Sequence, residues 1–97
     1  MKIQSNVVLA PYTSFGVGGP AEHFSLVTST DELIECLKCT LPTTPLWLLG
    51  YGSNSLISDT GLPGMTVCIR GGIITSEETT VVADAGAWWD DVVMLAL

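Results

Sequence analysis

The sequence predicts an α/β (α+β) fold, and three observations carry that prediction. The 97 residues are 47% apolar and only 13% charged, which suits a folded domain with a modest core and excludes a disordered tail. Residues 22–49 follow the order strand, helix, strand, which fits a βαβ unit with parallel strands. Two more strands, at 65–70 and 79–84, and a helix at 87–97 are expected after it.

The first part of the chain has clear turn and cap signals. Residues 1–10 are expected to be a poorly ordered, partly extended lead-in, and residues 11–21 a loop, because they hold three Gly and two Pro. Residues 22–28 alternate as a strand does. Ser29 and Glu32 have capping-box spacing, in which each side chain satisfies a free backbone N–H at the start of a helix. That helix should run to about Cys39 and stop before Pro42.

The later elements are predicted from apolar runs. Residues 46–49 (LWLL) are continuously apolar between Pro45 and Gly50, which is typical of a strand buried on both faces. In the helix at 87–97, Trp89 falls on the apolar side and is expected in the core, whereas Trp88 is expected to be partly exposed. This helix reaches Leu97 with no polar end, so we expect the sequence to be the N-terminal piece of a longer protein.

The charge balance excludes several classes of partner. Three Lys/Arg against ten Asp/Glu give a net charge of −7, the wrong sign for a nonspecific nucleic-acid binder or a binder of anionic membranes. No apolar run approaches the ~20 residues of a membrane-spanning helix, and no signal peptide is recognised. The odd count of three cysteines fits a reducing cytoplasm. An anionic small molecule could be bound, but not by a basic patch.

The strongest local signal follows the apolar strand at 46–49. Gly50, Tyr51, Gly52, Ser53 and Asn54 form a short loop in which two glycines allow a concave backbone with inward N–H groups. Such a nest binds phosphate without side-chain charge. The same composition also suits an ordinary turn at the end of a strand, and the local pattern leaves both interpretations open.

Three other motifs are weaker indications of function. Residues 16–21 fit a loose GxGxxG/A pattern, but they neither follow a strand nor open a helix, as a dinucleotide fingerprint requires. Cys36 and Cys39 form a CxxC without a second pair, so a structural role is favoured over zinc or redox chemistry. His23 is the lone histidine and has no nearby nucleophile to activate, so it is interpreted as structural.

Four segments together resemble a known family. In order along the chain they are residues 12–21 (YTSFGVGGPA), 49–54 (LGYGSN), 58–70 (SDTGLPGMTVCIR) and 85–90 (AGAWWD). They resemble the N-terminal part of the UDP-N-acetylenolpyruvoylglucosamine reductase (MurB) family, over about residues 8–97. The order and spacing of all four are far more specific than any one of them.

The resemblance implies an FAD-binding fold of the vanillyl-alcohol-oxidase (PCMH) type. It implies a small α/β lobe over residues 1–72, with the beginning of a second lobe over 73–97. FAD would lie between the lobes, with its pyrophosphate wrapped by the loop that begins at Gly50. The cofactor-binding residues implied are Gly50, Tyr51, Gly52, Ser53, Asn54, Ser55 and Gly86.

The resemblance also implies an activity. The family reduces UDP-N-acetylglucosamine enolpyruvate to UDP-N-acetylmuramate, a cytoplasmic precursor of cell-wall peptidoglycan, with NADPH as reductant and FAD as cofactor. The catalytic serine, arginine and glutamate of the family fall beyond residue 97, so this piece alone is expected to be inactive. The alternatives are another FAD oxidoreductase of the same fold and a non-catalytic FAD-binding or interaction module. Asp84 and Ser55 depart from the family pattern, and a carboxylate at Asp84 would repel a diphosphate unless it turned to solvent.

Overall fold

The computed structural model describes residues 2–51 and 56–97. In those residues the elements, in chain order, are β1 (Ile3–Val8), a 3₁₀ turn (Ala10–Tyr12), β2 (Pro20–Val27), α1 (Thr30–Lys38), β3 (Leu46–Leu49), β4 (Leu62–Ile69), β5 (Ile74–Glu77), β6 (Thr80–Ala83) and α2 (Trp89–Ala96). The mixed α/β class predicted from the sequence is confirmed. Neither helix has the length and apolar character needed to cross a bilayer, within the described residues.

Four strands form the main sheet, in the order β1-β2-β4-β3. β1 is antiparallel to β2, while β4 is parallel to both β2 and β3. The strands at 22–28 and 46–49 are therefore parallel, as the βαβ pattern predicts. They are not neighbours, because β4 lies between them.

The core is divided between the two faces of this sheet. Val67 and Cys68 are consecutive residues of β4, so their side chains point to opposite faces, and both are fully buried. Val67 packs with Cys36 of α1, whereas Cys68 packs with Leu9, from the segment before the 3₁₀ turn. One face is thus covered by α1 and the other by the segments around Leu9 and Ile57.

Two expectations about strands were wrong. The lead-in at residues 1–10 contains β1, which gains its order by pairing with β2 along an exposed edge. β3 is a strand as predicted, but only Leu49 is buried, and Trp47 and Leu48 are 42% and 62% exposed. The reason is position: β3 is the edge strand next to β4, and the indole N–H of Trp47 donates to the Pro63 carbonyl at 2.9 Å.

The end of the chain forms a hairpin and a helix. β5 and β6 pair antiparallel, with Glu77 opposite Thr80, so the predicted strand at 79–84 is present and its partner β5 was not expected. The helix at 87–97 is confirmed as α2. Trp89 was expected in the core but is 72% exposed, because the described chain places no element over that face of α2. Trp88 is 48% exposed, in line with expectation.

The start of α1 differs slightly from a capping box. The Ser29 hydroxyl accepts from the Glu32 backbone N–H at 3.2 Å, as predicted. The Glu32 carboxylate, however, reaches one residue further back and accepts from the Thr28 hydroxyl at 2.7 Å and the Thr28 N–H at 2.9 Å. These bonds, the side-chain one first, lower the pKa of Glu32, because they favour the charged carboxylate.

Candidate functional site

The loop predicted to bind phosphate begins at the carboxyl edge of the parallel strands. Leu49 of β3 pairs with Cys68 of β4, so Gly50 and Tyr51 continue alongside Ile69 and Arg70. Ligands of open α/β sheets commonly bind at such an edge. Of the predicted binding residues, Gly52, Ser53, Asn54 and Ser55 lie outside the described part of the chain.

The Gly50 carbonyl accepts hydrogen bonds from two side chains. A guanidinium nitrogen (Nη1) of Arg70 donates to it, and the Cys68 thiol donates to it over 3.7 Å. Burial raises the pKa of the Cys68 thiol, and the positive charge of Arg70 acts in the opposite direction. The thiol therefore stays protonated at neutral pH and remains a donor. The same Nη1 atom of Arg70 also donates to the Ile69 carbonyl at 3.2 Å.

Tyr51 joins this loop to the predicted second cofactor turn. The Arg70 guanidinium carbon lies 4.2 Å from the centre of the Tyr51 ring, a cation–π distance. The Tyr51 hydroxyl donates to the Gly86 carbonyl at 2.9 Å. The Trp88 ring meets the Tyr51 ring edge-on, with 4.5 Å between centroids. Gly50, Tyr51 and Gly86, predicted from separate segments, are thus brought into one cluster.

The Gly86 position admits no side chain. Gly86 is buried, and a Cβ built there would overlap the Gly71 carbonyl oxygen and lie 2.6 Å from the Arg70 carbonyl carbon. The turn before α2 is therefore pressed directly against the backbone that follows β4. Gly50 is the opposite case: it is exposed, and a Cβ there meets no described atom within 4 Å.

A small cleft of about 80 Å³ lies next to this cluster. Its walls are the start of α1, the Gly71-Gly72 turn and the segment from Asp84 to Gly86. Asp84 is exposed, and its carboxylate accepts the Ile73 N–H at 3.1 Å. The departure from the family pattern at this position is thus a carboxylate bonded to the backbone at the beginning of the β5–β6 hairpin.

Two members of the cluster were not assigned a role from the sequence. Arg70 lies in a segment that carries the resemblance, but no ligand was assigned to it, and Trp88 was expected only to be partly exposed. A usable signal was the strand register. Arg70 directly follows β4, which pairs with β3, so it lies level with the loop that follows β3.

The remaining candidates stay outside the cluster. Cys36 is buried and Cys39 is exposed, and both are free thiols. Burial is the main cause that raises the pKa of Cys36, which suits the structural role expected of it. His23 is exposed on β2. No group of three His, Cys, Asp or Glu side chains suited to a metal ion occurs in the described residues.

Comparison with known proteins gives relatives of a single kind among the most similar. UDP-N-acetylenolpyruvoylglucosamine reductase of Synechococcus sp. (strain WH7803) is 40% identical over 88 residues, 87% of this chain and 28% of that protein. The Thermobifida fusca protein of the same name is 42% identical over 94 residues, 91% of this chain and 26% of that protein. No family model matches the chain.

A solved structure agrees in fold. The crystal structure of UDP-N-acetylenolpyruvylglucosamine reductase (MurB) from Thermus caldophilus superposes with a TM-score of 0.57 at 35% identity, covering 73% of this chain and 24% of that one. The chain spans about a quarter of the length of the curated relatives it matches. By sequence and by fold, the chain belongs to the UDP-N-acetylenolpyruvoylglucosamine reductase family.

Proposed function

We propose that this chain is the part of a UDP-N-acetylenolpyruvoylglucosamine reductase that holds the diphosphate of FAD. The binding groups would be the backbone N–H groups of Gly50, Tyr51, Gly52, Ser53, Asn54 and Ser55, with the turn at Gly86 beside the cofactor. The observation that carries the proposal is the 2.9 Å hydrogen bond from the Tyr51 hydroxyl to the Gly86 carbonyl. It joins the two segments that the family resemblance assigned to FAD separately.

The residues at this edge of the sheet fit a diphosphate. Gly50 is exposed and leaves open space where a side chain would stand, so a phosphate could approach the backbone closely. The Asp84 carboxylate, which lies near Gly86 in the chain, accepts the Ile73 N–H. The chain has a net charge of −7, and the nearby Arg70 guanidinium is bonded to the Gly50 and Ile69 carbonyls, so neutral N–H donors are the proposed means of holding an anion here.

The reaction proposed for the whole enzyme is reduction of UDP-N-acetylglucosamine enolpyruvate to UDP-N-acetylmuramate, in the cytoplasm, for peptidoglycan synthesis. The chemistry that FAD supplies when bound is hydride transfer from NADPH to the enolpyruvyl double bond. The part of this chain is to bind and orient the cofactor, between a lobe over residues 1–72 and a second lobe that begins at 73–97. The groups that bind the nucleotide sugar and donate its proton are proposed to lie outside these 97 residues.

Titration of the purified chain with FAD, followed by quenching of flavin fluorescence, tests this function. We expect saturable binding of FAD and competition by ADP, which carries the same diphosphate. Riboflavin, which has no phosphate, should bind at least tenfold more weakly, because it forgoes charge-assisted hydrogen bonds worth about 1.5–3 kcal/mol. Equal affinity for riboflavin and FAD, or no binding of FAD, would contradict the proposal.

Turnover provides a second check. The 97-residue chain should not oxidise NADPH in a manner dependent on the enolpyruvyl substrate, because the proposed catalytic groups are absent from it. Substrate-dependent oxidation by this chain alone would show that it carries catalytic groups of its own.

A further inference from the structure

Arg70 is the cation nearest the proposed diphosphate loop. The chain has three Lys and Arg residues in all; Lys2 precedes β1 and Lys38 lies in the last turn of α1. α1 begins beside the carboxyl edge of the sheet and runs away from it, so Lys38 is at the far end. On charge alone, Arg70 would be chosen as the phosphate ligand.

The contacts of Arg70 point elsewhere. Its Nη1 atom donates to the carbonyls of Gly50 and Ile69, and its guanidinium carbon lies over the Tyr51 ring, 4.2 Å from the centroid. These interactions engage the guanidinium with backbone oxygens and a ring face. The rigid, planar guanidinium holds the ring contact and both carbonyl bonds in one fixed arrangement, which the flexible, compact ammonium of lysine reproduces poorly.

Tyr51 carries the effect of Arg70 across the site. Its ring contacts both the guanidinium and the edge-on Trp88 ring, and its hydroxyl donates to the Gly86 carbonyl. Gly86 is 35 residues away in sequence and rests against the backbone at Arg70 and Gly71. One side chain therefore fixes the direction of the Gly50 carbonyl and, through Tyr51, the spacing between two turns.

We propose that Arg70 is a positioning residue for the cofactor loop and does not supply the charge that binds the phosphates. Its guanidinium orients the Gly50 carbonyl and the Tyr51 ring, and thereby keeps the turns at Gly50 and Gly86 at the spacing the diphosphate requires. This role rests on the proposed FAD-binding function.

The test compares Arg70→Gln, Arg70→Lys and the control Lys38→Gln, each titrated with FAD at two salt concentrations. A positioning role predicts that both Arg70 variants lose affinity roughly tenfold, the size expected for one charge-assisted hydrogen bond. Lysine keeps the charge but not the planar group, so it should not rescue binding. Lys38→Gln should bind as the parent does, and the salt dependence should be the same in all four proteins.

The opposite pattern would overturn the proposal. If Arg70→Lys binds FAD like the parent while Arg70→Gln is weakened and loses salt dependence, Arg70 acts through its charge on the phosphates. If Arg70→Gln binds like the parent, Arg70 has no role in the site. Tyr51→Phe should be weakened by a smaller factor than Arg70→Gln, since it removes only the bond to Gly86.

A readout without FAD separates this inference from the proposed function. Amide hydrogen exchange reports local opening. The contact to be tested is the one from Arg70 through Tyr51 to the Gly86 carbonyl, here called the Tyr51 tether. The Ala87 and Asp91 amides, which are bonded to the Asp84 and Trp88 carbonyls, lie close to it in the chain. Arg70→Gln should speed exchange of both amides severalfold relative to the parent and Lys38→Gln. If the parent does not bind FAD but this difference in exchange appears, the positioning role of Arg70 through the Tyr51 tether is supported and the proposed FAD-binding function is contradicted. If exchange is unchanged, the proposed positioning role of Arg70 is contradicted, whether or not the parent binds FAD.

Discussion

At the scale of single residues, the close approach at Gly86 sets the geometry of the site. The turn before α2 touches the backbone after β4 with no side chain between them, and the Gly86 carbonyl receives the Tyr51 hydroxyl. Even one added methyl group would have to displace backbone on both sides, and interiors tolerate such overpacking poorly. The backbone of Gly86 therefore has both a packing role and a hydrogen-bonding role.

Gly86→Ala should lower the free energy of unfolding by about 1–3 kcal/mol, the usual cost of overpacking. Gly50→Ala is the matched control for stability, because a Cβ there meets no described atom within 4 Å. Its unfolding free energy should stay within about 0.5 kcal/mol of the parent. Urea unfolding of the three proteins measures both quantities, and an equal loss in the two variants would mean that the contact at Gly86 is not tight.

At the scale of elements, α1 owes its start to a pair of local bonds. The Ser29 hydroxyl caps the Glu32 N–H, and the Glu32 carboxylate ties back to Thr28, the residue that follows β2. The helix is only nine residues long, too short to be stable alone. The cap therefore fixes where the chain leaves the sheet and turns back over its face.

Ser29→Ala should cost about 1 kcal/mol of unfolding free energy, the typical value for loss of a helix cap. Thr30→Ala, which removes an exposed hydroxyl one residue later, should cost less than about 0.5 kcal/mol, since alanine is also the better helix former. Thermal unfolding followed by circular dichroism compares the two. Equal losses would show that the Ser29 hydroxyl is not the operative cap.

Elements with local signals were predictable, and those that depend on neighbours were not. The cap at Ser29 and the helix-breaking Pro42 are local signals, and α1 was found where they predict it, from Thr30 to Lys38. β3 has the composition of a buried strand, yet it lies at the sheet edge, and a single strand's sequence does not state its place in a sheet. β1 and β5 were missed because each is ordered by pairing with another strand.

In the candidate site, too, the features with local sequence signals were predicted and those that depend on distant residues were not. The glycine loop after β3 and the turn at Gly86 were found from spacing and from the family resemblance. Their junction through Tyr51 was not predicted, because it joins residues that are 35 apart in the chain. The contact between Arg70 and the loop was not predicted for a similar reason: it depends on the register of β4 against β3 and not on a local motif.

At the scale of the whole molecule, the net charge of −7 decides how an anionic cofactor must be bound. Ten acidic side chains against three basic ones place FAD, itself a dianion, in a repulsive long-range field. Backbone N–H groups in a nest act only at short range and are little screened by salt. Attraction and repulsion therefore respond differently to ionic strength, and the balance between them can be measured.

FAD affinity should stay level or rise by up to about threefold between 20 mM and 200 mM NaCl, because salt screens the net repulsion over a Debye length that shrinks from roughly 20 Å to about 7 Å. A site that bound the diphosphate by cationic side chains would lose affinity over the same range. Riboflavin, which is uncharged, should show no dependence and serves as the control ligand. A fall in FAD affinity with salt would place the binding free energy in a basic side chain, with Arg70 the first to suspect, and would argue against the backbone nest at Gly50.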